Sequence, residues 1–344
     1  PGGTPGPLAE PDWQPCPREI GERLWEKMKA FSAYGFPESH AQSFASLVYY
    51  SAWFKCHYPA IYCTALLRSQ PMGFYSPQSL VQDAQRHGVR VHPVDIHHSD
   101  VEATCEQHGE ELRLGLTSVR GFGKDPARRL VTARQEGGSF TSIADLVLRA
   151  GLTTEQVESL ALAGALDCLT QQRGGAGRHE ALWRAGLEAQ THPAYLPGIT
   201  VTTAPHLPGM SAWEIAMADY ASTGISAYPT VFLRKSLTEQ GVTCARDLLA
   251  QPNGQRVRVA GVVTHRQRPP SAGGVTFLSM EDETGLMNVI CSAGLWKRYR
   301  AILTQSTALV VRGLVDSAEG AVSIVADKIE PLDVGWAMPS RDFR

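Results

Sequence analysis

The chain has 344 residues, of which 43% are hydrophobic and 19% charged, and its formal net charge is −2. These values are ordinary for a globular protein with two or three domains. No apolar run approaches the roughly 20 residues that a membrane span needs, and the Pro/Gly-rich N-terminus does not resemble a signal peptide. We therefore expect no membrane association and a cytoplasmic location. Seven scattered cysteines without a Cys-x-x-Cys pair argue against a disulfide framework or a zinc ribbon.

The first hundred residues are predicted to be mostly helical. Residues 1–17 are rich in Pro and Gly and are expected to form a flexible tail. From Arg18, apolar residues recur at helical spacing and predict an amphipathic helix that stops near Gly35. The next helix, from Pro37 to Lys55, is apolar nearly all round, which is typical of a helix buried in a larger body. Further elements are predicted from Pro59, from Pro77 after a Ser76 cap, and at Val89–Val91.

A possible phosphate-binding turn lies at Gly121–Gly123, inside the segment Leu114–Glu136. The sequence predicts a short apolar helix, the Gly-x-Gly turn, and a second helix that Asp125 caps and Pro126 begins. Six basic residues against one acid give the stretch from Arg113 to Arg134 a local charge of +5. We interpret this helix-hairpin-helix as a contact for DNA backbone; the alternative is an ordinary turn with solvated arginines. The predicted DNA-binding residues here are Gly121, Gly123, Lys124, Arg128 and Arg129.

Two further helices are predicted within residues 137–169. Thr141 or Ser142 caps the first, and Thr153 with Gln156 forms a capping-box pattern for the second. Residues 170–210 have no clear period and are interpreted as an inter-domain connector. Short helices are predicted after it, around Trp213–Tyr220, Leu233–Gln240 and Ala245–Leu249.

From residue 256 the apolar pattern changes to period two. Five short strands, with a helix between the third and fourth, predict an OB-fold that binds single strands on one face. Arg266 and Arg268 are placed in the first loop as phosphate contacts. Phe277 is a possible stacking platform, the alternative being an inward-facing barrel residue. Basic residues near the helix are interpreted as a solvated face: Lys297, Arg298 and Arg300.

Two long segments carry a family resemblance. YGFPESHAQSFASLVYYSAWFKCHYPA (34–60) and QPMGFYSPQSLVQDAQRHGVRVHPVDIHHSD (70–100) closely resemble the fingers region of bacterial C-family DNA polymerases. The segment QPMGFYSP (70–77) is most similar to the sequences of the error-prone, ImuC-type branch. The resemblance covers roughly residues 18–333 and implies a multi-domain α+β chain. Its parts would be the fingers (18–110), a helix-hairpin-helix domain (111–170), a connector (171–255), an all-β OB barrel (256–333) and a tail (334–344).

The resemblance also implies an activity. The whole protein would be a DNA-directed DNA polymerase acting in translesion synthesis, and Ser39, His40 and Lys55 would contact the incoming nucleotide, although Glu38 stands where many members have lysine. The family's Mg²⁺ ligands follow an Asp-x-Asp pattern in a palm domain, and this sequence has no Asp-x-Asp. Glu281–Glu283 is the nearest acidic cluster, and turn preference explains it. We therefore expect the chain to be a C-terminal part that binds no cofactor and does not polymerise alone.

Implied partners are primer-template DNA, dNTP and an accessory Y-family-like (ImuB-type) mutagenesis protein. Contact with the sliding clamp would be indirect, because HLPGMS (206–211) has neither the Gln nor the terminal aromatic of a clamp-binding peptide. Two alternatives stay open: a truncated replicative subunit, and a non-catalytic nucleic-acid-binding module. A group of metal-binding residue types matches no closed zinc spacing, so its histidines are expected to be surface or loop residues. The group comprises His92, His97, His98, Cys105 and His108.

Overall fold

The computed structural model describes residues 18–32, 38–73, 75–170, 175–189, 205, 207–318, 321–335 and 341–343. The chain divides into two compact units, Pro1–His57 and Tyr58–Arg344. The predicted tail 1–17 lies outside the described residues. None of the helices in the described ranges combines the length and apolarity needed to cross a membrane.

The first unit contributes helices α1 (Arg18–Ser32) and α2 (Glu38–His57). Both confirm the predicted helical segments, while the breaker Gly35 and the helix start at Pro37 fall outside the described residues. The large apolar side chains of α2 are exposed in the described residues, so its burial in a larger body stays a prediction. Tyr49, for example, is 68% exposed and Trp53 is 40% exposed.

The second unit begins with a helical module. Its elements are α3 (Pro59–Arg68), α4 (Pro77–Arg86), β1 (Arg90–His92), β2 (Thr104–Glu106), β3 (Glu111–Arg113), α5 (Lys124–Gly137), α6 (Ile143–Ala150), α7 (Thr154–Leu162) and α8 (Gly175–Glu188). The three strands form a small sheet in the order β1-β3-β2, with β1 parallel and β2 antiparallel to β3. The sequence analysis predicted only the first of these three short strands.

Helix starts in this module follow the predicted caps. The Ser76 and Ser142 side chains accept hydrogen bonds from the Ser79 and Asp145 amides, and Thr153 with Gln156 forms the predicted capping box. One apolar core runs continuously from α3 to α8. Helix α8 lies in residues 170–210, the part of the predicted connector where the sequence shows no clear period and predicts no helix. The predicted domain boundary at residue 110 stays a prediction.

Three short helices, α9 (Ala212–Thr223), α10 (Pro229–Glu239) and α11 (Ala245–Leu248), lead into the barrel. The barrel elements are β4 (Arg256–Gln267), β5 (Thr276–Asp282), β6 (Gly285–Cys291), α12 (Ala293–Gln305), β7 (Ala308–Ala318) and β8 (Ala321–Pro331). The pairing order β5-β6-β8-β7-β4 closes through β4–β5, as expected for an OB-fold. A short β9 (Arg341–Phe343), inside the predicted tail, pairs parallel with the end of β4.

Two glycines allow the barrel to close. A Cβ on Gly313 would lie 2.3 Å from the carbonyl oxygen of Val325, and one on Gly261 would lie 2.8 Å from that of Glu281. Real Cβ atoms do not approach a backbone this closely, so no other residue fits without a shift of the neighbouring strand. The helical module followed by a closed barrel confirms the predicted fold class.

Candidate nucleic-acid interface

The hairpin turn has the predicted backbone shape. Gly121 and Gly123 adopt φ values of +78° and +72°, in the left-handed region that favours glycine. Phe122 between them is 1% exposed and anchors the turn in the core, while both glycines stay at the surface. The amides that open α5 therefore lie beside a backbone with no side chain, where a phosphate can approach closely.

Two local details of the hairpin prediction are wrong. Gly123 occupies the N-cap and α5 begins at Lys124, so Asp125 and Pro126 lie inside the first turn and no side chain caps the helix. The predicted first helix is only a 3₁₀ turn at Leu116–Ser118. Asp125 can still interact favourably with the positive end of the helix at this position.

Most of the basic residues around the hairpin form hydrogen bonds or ion pairs with other parts of the fold. Arg113 forms an ion pair with Glu106. The Arg134 Nη1 donates to the carbonyl oxygens of Ile96 and Ser99, each at 2.8 Å. The Arg129 Nε and Nη2 donate to the Ala150 and Gly151 carbonyls at the end of α6, and the Arg120 Nη1 donates to the Ala221 carbonyl. The local charge of +5 therefore overstates what a phosphate would meet.

Lys124 and Arg128 lie at the exposed start of α5, where the Arg128 Nη1 is 3.5 Å from the Asp125 carboxylate, and Arg68 is a third cation beside them. The Glu102 carboxylate lies between Arg68 and Lys124, with an Nε–Oε2 distance of 3.2 Å and an Nζ–Oε1 distance of 3.1 Å. These two cations hold the pKa of Glu102 below its usual range. Three cations and two acids line a cavity of about 290 Å³: Arg68, Lys124 and Arg128 with Asp100 and Glu102. Sequence reasoning missed Arg68 because it lies on α3, far from the hairpin in the chain.

Arg266 does not lie in the first barrel loop as predicted. It belongs to β4 and is only 8% exposed. Its Nε donates to the Leu303 carbonyl at 2.7 Å, and its Nη2 donates to the Ser306 carbonyl, so the guanidinium closes the C-terminal end of α12. Arg268 does lie in the loop, is exposed, and stacks over Trp296 with 5.2 Å between the guanidinium carbon and the ring centroid. Of the two arginines, only Arg268 faces solvent.

Phe277 points outward from the barrel, so the inward-facing alternative is wrong. It is 38% exposed between two buried neighbours on β5. Strand register places it beside Ile290 on β6, Ile290 beside Val325 on β8, and Val325 beside Leu314 on β7. Val325 and Leu314 are 41% and 39% exposed. This apolar row crosses four strands and offers a surface on which bases can stack.

The basic residues on α12 agree with the solvated face that the sequence indicated. Lys297, Arg298 and Arg300 are all exposed. The Arg298 guanidinium lies over the Tyr299 ring of the same helix, 5.3 Å from its centroid.

The three predicted nucleotide contacts do not come together. Ser39 and His40 are neighbours at the exposed start of α2, where the His40 ring packs on Phe44 at 4.4 Å between centroids. Lys55 lies near the other end of the same helix. A rise of about 1.5 Å per residue puts it roughly 23 Å from His40 along the axis, too far for all three to grip one triphosphate.

The acidic turn at Glu281–Glu283 does not fit a Mg²⁺ site. Glu281 is fully buried and accepts hydrogen bonds from Ser79, Arg86 and Tyr228. Asp282 is occupied by backbone amides and Arg234, and Glu283 also pairs with Arg234. Their oxygens already have protein partners, whereas Mg²⁺ keeps several waters around it.

Comparison with known proteins agrees with this architecture. A family model for the helix-hairpin-helix motif matches residues 88–176, and one for the OB-fold nucleic acid binding domain matches residues 257–332. The error-prone DNA polymerase of Nocardia farcinica is 55% identical over 332 residues, which cover 95% of this chain and 29% of the relative. Those of Corynebacterium glutamicum and Mycobacterium tuberculosis are 52% identical and cover 95% and 96% of this chain, and 30% of each relative.

A crystal structure of asparaginyl-tRNA synthetase from Pyrococcus horikoshii is 21% identical over 26% of this chain and 22% of that chain, with a TM-score of 0.23, too low to support an argument.

The hairpin and the closed barrel together place the chain among proteins that combine a helix-hairpin-helix motif with an OB-fold nucleic acid binding domain. The chain belongs to the error-prone branch of the bacterial C-family DNA polymerases, which confirms the predicted resemblance. It corresponds to a C-terminal portion and spans about 30% of the length of the curated relatives it matches.

Proposed function

We propose that this part of an error-prone DNA polymerase holds primer-template DNA, with the hairpin on the duplex backbone and the barrel on the single-stranded template. The observation that carries the proposal is the combination at the start of α5. Two left-handed glycines leave backbone amides accessible, and Arg68, Lys124 and Arg128 line the adjoining cavity. Amides at a helix start and nearby cations together favour a phosphate and read no base sequence.

The barrel would hold the unpaired template by stacking. Phe277 and the apolar row beside it expose an apolar surface, and Arg268 follows directly after Gln267, the residue that pairs with Phe277. An aromatic platform with a neighbouring guanidinium is typical of sequence-tolerant single-strand binding. The strand would therefore cross the barrel near the end of β4.

In the whole protein, the hairpin and barrel contacts with DNA, together called the DNA grip, would serve DNA synthesis across damaged template. Ser39 and His40 at the start of α2 would contact the triphosphate of the incoming nucleotide through hydrogen bonds. Mg²⁺, held by carboxylates of a palm domain, would supply charge neutralisation at the transferred phosphate. The ImuB-type partner, indirect recruitment to the clamp and a cytoplasmic location are parts of the same proposal.

Fluorescence anisotropy with a labelled primer-template duplex tests the DNA grip. The affinity is expected to fall steeply with salt, because each phosphate contact releases counterions. The double variant Lys124→Ala/Arg128→Ala is expected to reduce the salt slope by roughly two units, about one per lost phosphate contact. The matched control is Lys235→Ala/Arg246→Ala, which removes the same charge from two exposed residues elsewhere.

Two results would overturn the proposal. One is a wild-type chain that ignores primer-template DNA at low ionic strength. The other is a clear preference for A-form RNA duplex, which would favour a non-catalytic RNA-binding module instead. An equal loss of slope in both double variants would mean that the hairpin cations act only through net charge.

A further inference from the structure

We infer that the helical module carries a transition-metal site formed by Asp95, His97 and Cys168, with Zn²⁺ as its natural ligand. One ligand atom from each residue lies within 4.8 Å of the other two. The site is separate from the hairpin and the barrel face, so the inference does not depend on the proposed DNA grip. The spacing of ligand types along the chain does not indicate this site, because Cys168 lies more than 70 positions after His97.

The donor set suits zinc. A carboxylate oxygen, an imidazole nitrogen and a thiolate sulfur are the three ligand types that Zn²⁺ binds in proteins, at about 2.0–2.3 Å. Ligand atoms around one tetrahedral ion lie about 3.3–3.6 Å apart at those bond lengths. Small side-chain rotations therefore suffice to bring these three atoms onto one ion. Cys168 is exposed, which leaves the fourth position open to water.

The His97 ring is already oriented for a metal. Its Nε2 lies 3.0 Å from the carbonyl oxygen of Phe140, which can only accept a hydrogen bond. The proton is therefore on Nε2, and Nδ1 keeps its lone pair free for coordination. Metal-binding histidines commonly donate their other ring N–H to a backbone carbonyl, which fixes the tautomer and the ring plane. Phe140 is 2% exposed, so this second partner is held firmly.

The backbone on both sides is also fixed. The Asp95 carboxylate accepts from the His97 amide at 2.7 Å, and the Ser99 hydroxyl donates to the Leu114 carbonyl and accepts from the Asp95 amide. The Ile96 amide donates to the Ala165 carbonyl at 3.2 Å, which ties the loop of Asp95 and His97 to the turn that carries Cys168. The ligands thus sit on two segments joined independently of any ion.

A second cluster, His92 with Glu106 and Glu111, is the main competitor among the described residues. Its carboxylates already pair with arginines: Arg113 binds Glu106, and the Arg90 Nη1 lies 3.5 Å from Glu111. This cluster is therefore satisfied as an ion-pair network, and it contains no sulfur. A thiolate-to-metal absorption band therefore distinguishes the two clusters, because only the first contains a cysteine.

Binding of Zn²⁺ or Co²⁺ displaces the Cys168 thiol proton, which passes to the buffer, so the affinity rises with pH. We would titrate the chelator-treated chain with Co²⁺ and record its absorption spectrum. The expected result is one equivalent of Co²⁺ with a near-ultraviolet thiolate-to-cobalt band, which Zn²⁺ then removes. Cys168→Ser should abolish this band, and His97→Ala should weaken binding by about tenfold or more. The matched controls Cys105→Ser and His98→Ala should keep both band and affinity.

An independent readout uses the wild-type chain. Zn²⁺ is expected to protect Cys168 from alkylation while exposed Cys105 continues to react, as followed by mass spectrometry. The inference is overturned if no thiolate band forms, if the band survives Cys168→Ser, if binding is lost in His92→Ala instead, or if Zn²⁺ leaves alkylation of Cys168 unchanged.

Discussion

The Arg86 guanidinium on α4 lies 2.9 Å from the carboxylate of Glu281 on β5, and the two residues join the helical module to the barrel. Glu281 is fully buried, and the Arg86 side chain is 15% exposed. The hydroxyls of Ser79 and Tyr228 donate to the same carboxylate. The Gln78 amide group adds two hydrogen bonds to the Ser226 backbone. The hairpin and the barrel face are therefore held in a fixed relation.

Arg86→Met is expected to destabilise the chain by about 3–5 kcal/mol at neutral pH, because it leaves a buried carboxylate without its ionic partner. Thermal or urea unfolding followed by circular dichroism measures the loss. The matched control is Arg90→Met, which breaks only a longer pair in which the Arg90 side chain is 72% exposed, and it should cost less than about 1 kcal/mol.

The cost of Arg86→Met should depend on pH. Burial raises the pKa of Glu281, and Arg86 is one of the groups that oppose this rise, so removing it raises the pKa further. An acid with a raised folded-state pKa stabilises the fold below its unfolded value, near 4.5, and this stability is lost as pH rises through the folded value. The gap between variant and wild type should narrow as pH falls towards 4.5. A constant gap would show that Glu281 stays charged in the variant.

Glu102→Gln is expected to tighten binding of primer-template DNA several-fold at low salt. The carboxylate now occupies Arg68 and Lys124, and its lowered pKa keeps it charged at neutral pH. Removing the charge frees both cations for phosphates, so the salt slope should steepen by about one to two units. Anisotropy titrations at three or more salt concentrations measure both quantities.

The control for this variant is Glu136→Gln, which removes one exposed negative charge near the opposite end of α5. It should change affinity and slope far less. If the two variants bind alike, or if Glu102→Gln binds more weakly, Glu102 does not compete with DNA at the hairpin.

Elements with a local signal could be predicted from the sequence. Ser76, Ser142 and Thr153 each begin the helix that their type and position indicate, because a cap involves only residues three positions apart. The alternation of the barrel strands and the positive φ of Gly121 and Gly123 are equally local. Helix α8 was missed because small residues such as Ala181 and Ala185 face the core, and alanine gives little apolar contrast.

The interaction partners of charged side chains could not be predicted, since these partners are distant in the chain. Arg266 reaches a carbonyl 37 residues away, and Arg129 reaches one 21 residues away. A basic residue near a loop has the same sequence pattern whether it closes a helix end or faces a phosphate. The structure, and not the sequence, shows that Arg266 closes the end of a helix and that Arg268 faces solvent.

The different environments of Arg266 and Arg268 predict different outcomes for their alanine variants. Arg266→Ala should destabilise the chain by about 2 kcal/mol or more, because two carbonyls at the end of α12 lose a buried charged donor. Arg268→Ala should leave the melting temperature nearly unchanged and weaken binding of single-stranded DNA. Paired measurements of thermal unfolding and anisotropy check both. A stable Arg266→Ala variant with weakened DNA binding would instead show that Arg266 contacts DNA.

Phe277→Ala is expected to weaken single-stranded DNA binding by about 1–3 kcal/mol, the usual contribution of one aromatic platform. Because Phe277 is only 38% exposed, Phe277→Ala is also expected to lower the melting temperature, so affinity is measured at a temperature where circular dichroism shows the variant folded. Phe277→Trp should retain most of the affinity because stacking tolerates any flat ring. Leu249→Ala, at a side chain that is 73% exposed outside the barrel, controls for loss of apolar surface. Equal affinity in Phe277→Ala and the wild type would mean that the strand crosses the barrel elsewhere.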